Sequence, residues 1–173
     1  MTSKQLEELK INGYTIIPQA ISPQIAKNSL EKFETIFEQL HHHNHRSPVL
    51  LHGGMIQYVG HSPVQWELRN LCKPYFSTLF GTDKLACSFD GFCFMDGKKT
   101  VKKTKPDSFL HRDQNLANFS FENYQGLVSL TQNDIIEKGG FVCVPKSHLI
   151  DDFSFLPNQK PHKGNFYLFS DVE

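Results

Sequence analysis

The feature that most constrains this chain is a change of hydrophobic period near residue 83. Before it, apolar residues recur at helical spacing; after it, they gather in short β-branched and aromatic runs. Helices first and strands second do not alternate as βαβ, which points to an α+β or helix-decorated all-β fold rather than a doubly wound sheet. A length of 173 residues suits one domain with one hydrophobic core. The expected division is a helical part over about 1–82 and a β-core from about 83 onward, with no internal repeat.

Local signals place the elements. Residues 4–11 read as a short helix stopped by Asn12-Gly13, and 14–17 as a strand closed by Pro18. Ser22 followed by Pro23 opens a longer helix. Its stripe of Ile25, Leu30, Phe33, Ile36, Phe37 and Leu40 suits core packing rather than a cofactor. His41, His42, His43 and His45 follow; contiguous side chains diverge, so they read as a solvated helix end and loop. Ser62-Pro63-Val64-Gln65 is a capping box. It predicts a helix through Trp66 to Leu71, with a second short helix over 74–80 ending at Gly81. Strands are predicted over 85–95, 109–113, 124–131 and 140–144.

Charge excludes little but directs the reading. Lys plus Arg and Asp plus Glu number 18 each, so no net field favours nucleic acid or an anionic membrane. Lys98, Lys99, Lys102, Lys103 and Lys105 read as a solvated loop, or as a rim attracting an anion. Cys72, Cys87, Cys93 and Cys143 show no CxxC spacing. The polar, charged opening residues do not resemble a secretory signal, and no apolar run reaches membrane-span length. A reduced, cytoplasmic protein is the expectation. The 15 phenylalanines suggest a core or pocket of flat, bulky side chains.

His111-Arg112-Asp113 is the single His-x-Asp or His-x-Glu in the chain. The pattern alone is weak, since chance supplies about 0.5 His-x-Asp occurrences at this composition. On a strand, however, residues i and i+2 share a face, so imidazole and carboxylate can converge on one ion. That donor pair suits Fe(II). The competing reading is an exposed polar strand end.

Further blocks carry a family likeness. Residues 54–95 hold a helix with Trp66 and Arg69 leading to Ser88-Phe89-Asp90-Gly91. Leu110 to Asn115 reads LHRDQN, Tyr124 to Leu130 reads YQGLVSL, and Gly139 to His148 reads GGFVCVPKSH. In this order they resemble the phytanoyl-CoA dioxygenase family of Fe(II)/2-oxoglutarate oxygenases over about residues 11–173. The resemblance implies a mainly β fold with flanking α-helices, a double-stranded β-helix (jelly roll, cupin-like). It implies His111 and Asp113 as metal ligands, and Fe(II), 2-oxoglutarate and O2 as cofactor and co-substrates. The implied activity couples oxidative decarboxylation of 2-oxoglutarate to hydroxylation of a small organic substrate. In the resembling turn His148 has a structural role. His52, His61 and His162 are poor ligand candidates. Gln125, Leu127, Ser129 and Thr131 share a strand face, so Gln125 and Ser129 are candidates for lining the co-substrate site; packing as satisfied polar groups is an equal reading.

The chain also departs from the family pattern. Lys146 stands where glycine is usual. The second metal histidine has no counterpart, and no arginine follows Arg112 to grip 2-oxoglutarate. The β-fold is therefore expected to be incomplete at the C-terminus. Three explanations are open: a longer natural protein, which is the favoured expectation; self-association that supplies the strands as a homo-oligomer; or a catalytically degenerate binding or assembly protein. The reading is thus an oxygenase acting on a small molecule, with no nucleic-acid or membrane partner.

Overall fold

A computed structural model describes residues 1–43, 55–56, 60–87, 91–93, 111–112, 123–132, 141–150 and 167–168. Among them lie three α-helices: α1 (Ser3–Asn12), α2 (Pro23–His43) and α3 (Pro63–Phe80). The strands are two residues each: β1 (Met55–Ile56), β2 (Phe92–Cys93), β3 (His111–Arg112) and β4 (Tyr167–Leu168). β1 pairs with β2 and β3 with β4, both antiparallel, as two separate two-stranded sheets.

This corrects the fold class. The helices are 10, 21 and 18 residues long, so the described residues are mainly helical, neither mainly β nor a jelly roll. Local propensity made 85–95, 124–131 and 140–144 look like strands, but propensity only describes fitness for a pleated, half-buried surface. A strand also needs a neighbour to take its backbone groups. Of 85–95, only Phe92–Cys93 is a described strand, and 88–90 and 94–95 lie outside the described residues. Residues 124–130 and 141–144 belong to no ladder among the described residues.

The chain divides into two compact units. The first comprises Met1–Leu6, Ile16–Lys98 and Leu127–Gly140; the second comprises Glu7–Thr15, Lys99–Gly126 and Phe141–Glu173. The core of the first unit is built on α2 and α3. Phe33, Val64 and Leu68 are buried together, with Ile21, Ile25, Ile36, Phe92, Val128 and Leu130 packed around them. Val64 and Leu68 are four residues apart, hence on one face of α3. The Phe33 and Phe92 ring centroids are 4.7 Å apart, which ties the β1–β2 pair to α2. Ile56 on β1 is fully buried. At the exposed edge of the helix pair, Lys32 Nζ meets Glu67 Oε2 at 2.7 Å.

The helix ends follow local chemistry. Ser62 caps α3: the Gln65 N–H donates to its Oγ at 3.4 Å, and that hydroxyl donates to Gln65 Oε1 at 2.9 Å. The reciprocal bond thus runs between side chains rather than back to the Ser62 amide. The two short helices expected around Pro74 are one helix. A proline forfeits an intrahelical hydrogen bond and crowds the preceding turn, yet α3 runs unbroken from Pro63 to Phe80. Gly81 ends α3 at φ 65°, and the Thr82 N–H donates to Ser77 O at 3.2 Å, a Schellman stop. At the start of α1, the Thr2 N–H donates to Gln5 Oε1 at 2.9 Å and the Gln5 N–H to Thr2 Oγ1 at 3.2 Å. That is a full capping box, carried by Thr2-x-x-Gln5.

Candidate functional site

His111 opens β3, and the antiparallel register sets it opposite Leu168, with Arg112 opposite Tyr167. The extended backbone expected around the His-x-Asp motif is therefore present at His111, whose side chain is exposed. Asp113 lies outside the described residues. An exposed position at the start of a paired strand does not by itself dehydrate or orient a ligand.

A metal site needs converging donors. Among the described residues, no group of three or more His, Cys, Asp or Glu side chains is gathered. A neutral imidazole followed at i+2 by a carboxylate fits a ferrous ion in donor chemistry. The described residues supply the first of those donors.

The two candidate co-substrate residues fall in different units: Gln125 in the second and Ser129 in the first. Both are exposed. In the first unit, Val128 and Leu130 pack toward the Phe33–Val64–Leu68 cluster, whereas Leu127, Ser129 and Thr131 are exposed. This is the alternation of an extended segment, with the apolar even-numbered residues turned to the core. The Ser129 hydroxyl donates to Thr131 O at 2.7 Å. The lysine-rich run of 98–105, His52 and His162 lie outside the described residues.

Trp66 and Arg69, which helped carry the family likeness, form a stack on α3. The Arg69 guanidinium carbon lies 4.8 Å from the Trp66 ring centroid. His61 stacks on the same indole with centroids 5.6 Å apart and planes inclined at 30°. A cation over an indole is attracted by its ring quadrupole, and i, i+3 spacing on a helix brings the two side chains together. His61, a poor ligand candidate by sequence, has an aromatic partner here. Burial pushes the Cys72 thiol above the usual range, which opposes thiolate chemistry there.

The ring of His148 is anchored. Nε2 lies 3.0 Å from Lys10 O, in the second unit. Lys146 has φ 65° and caps the 3₁₀ turn Ser147–Leu149. This left-handed backbone conformation is one that glycine alone enters without cost.

No family model, no curated protein and no solved structure matches this chain.

Proposed function

We propose that this chain belongs to a non-haem Fe(II)/2-oxoglutarate-dependent oxygenase acting on a small organic molecule, with His111 and Asp113 as its metal-binding pair. The single observation supporting this is the extended, paired backbone at His111, the first position of the His-x-Asp motif. On such a backbone the residue two positions on shares the histidine's face. When bound, iron and the keto acid supply the oxidising chemistry; the chain's part is to hold the ion and orient what binds it. Gln125 and Ser129 are candidates for contacting the co-substrate. The test is succinate formation from 2-oxoglutarate under Fe(II). Turnover abolished by both His111→Ala and Asp113→Ala is the expected result. An iron-loaded chain without turnover overturns the proposal.

A second reading, a non-catalytic binding or assembly protein, is favoured by one feature: Phe141, Val142 and Val144 are 66%, 73% and 53% exposed. Consecutive apolar residues exposed on an extended run suit a protein contact. This reading expects a stable oligomer in solution and calorimetric titrations with Fe(II) and with 2-oxoglutarate that show no heat of binding.

A further inference from the structure

In the second unit, the last turn of α1 is completed by residues more than 130 positions away. The last four carbonyls of any helix lack intrahelical partners. Here Leu9 O accepts from the Gly13 N–H at 2.9 Å, an αL stop with Gly13 at φ 81°. Asn12 O accepts from the Lys146 N–H at 2.8 Å. Lys10 O lies 3.0 Å from His148 Nε2, which must carry the proton to donate to a carbonyl. Two of these three partners come from one turn. That turn is itself closed by the Ser147 N–H to Val144 O at 3.2 Å and the Leu149 N–H to Lys146 O at 3.0 Å.

The ring is seated as well as bonded. A Cβ placed on Gly13 would run into His148 Nδ1 and lie 3.1 Å from Cε1 and Cγ. Real Cβ atoms do not approach so closely, so the imidazole occupies the space that a side chain at 13 would need. Gly13 is thus required twice, for its positive φ and for the ring. Meanwhile α1 has no buried residue, and a ten-residue helix is marginal on its own.

We infer that the turn at 145–149 is a clamp on the C-terminal end of α1, with His148 as the group whose withdrawal releases it. The device is conformational: residues 7–13 and 146–149 open together, as a local event separate from unfolding of α3. Little apolar surface resists such an opening, and regions of that kind supply the low-energy local transitions of folded proteins. The hydroxylase proposal is not needed for this inference.

Amide hydrogen exchange on the full 173-residue chain tests it, comparing wild type, His148→Ala, Gly13→Ala and the double variant. Loss of one hydrogen bond at the helix end is expected to speed exchange at both 7–13 and 146–149 by about fivefold in His148→Ala. Exchange in α3 should stay at the wild-type rate. Gly13→Ala should accelerate exchange more than His148→Ala. Its effect should shrink in the His148→Ala background, where backbone strain remains but the ring clash is gone. Wild-type exchange at 7–13 in His148→Ala, equal acceleration throughout α3, or strictly additive effects would each overturn the clamp.

Discussion

Helix α3 and the run at 141–144 are both apolar, yet they meet opposite fates. Val64 and Leu68 on α3 are 2% and 8% exposed, while Phe141, Val142 and Val144 are all more than half exposed. The difference lies in where each segment finds its backbone partners. A helix satisfies its N–H and C=O groups within itself, so it arrives as a preformed surface that has only to bury one stripe. An extended segment satisfies nothing alone and becomes a strand only beside another. Apolar character therefore organises the α2–α3 region and leaves 141–144 without a ladder among the described residues.

The largest expected effect tests that contrast directly. Phe33→Ala removes the ring that packs against Val64, Leu68 and Phe92 and should cost about 3–5 kcal/mol in urea unfolding. Val142→Ala, an equally apolar deletion at an exposed position, should change stability by no more than about 0.5 kcal/mol. A comparable loss from both would break the comparison. At the next level, Ser62→Ala removes the α3 cap and should cost about 1 kcal/mol; no change in the unfolding midpoint would mean the capping box is ornamental.

Lys146→Gly works in the opposite direction. The lysine sits at φ 65°, and glycine should relieve that strain and raise stability by at most about 1 kcal/mol, read as a higher thermal midpoint. A drop instead would mean that the lysine side chain contributes more than its backbone costs.

The smallest effect concerns Cys72. Burial raises its folded pKa, so the folded state favours the neutral thiol. Its contribution is fully present below the unfolded thiol value, about 8.5, and is lost as pH rises through the raised folded value. Stability of the wild type should therefore fall slightly more steeply than that of Cys72→Ala across alkaline pH. Parallel curves would show that burial of this thiol has no energetic consequence.

The helical half was largely legible because its rules are local. The Ser62-to-Gln65 box, proline at the start of α2 and α3, the Gly13 and Gly81 stops and the Phe33 stripe each depend on residues within a turn or two. Pro74 misled because a proline usually ends or kinks a helix, whereas α3 continues through it to Phe80. Extended backbone at His111 was also legible, since β-propensity and the His-x-Asp spacing both pointed to it. Convergence of donors on one point was not legible to the same degree, because it depends on tertiary placement.

Amino-acid order alone determined most of the helix ends (though not that α3 runs on through Pro74), which face of α2 turns inward, and which two residues are the candidate ligands. Tertiary structure alone decided that the described residues are mainly helical, that Val128 and Leu130 rather than Ser129 face the core, and that His148 closes the end of α1. The physical reason is range. Capping, left-handed stops and helical periodicity are set by neighbours in sequence, whereas ladders, seated rings and shared carbonyls need groups that the chain brings together only by folding.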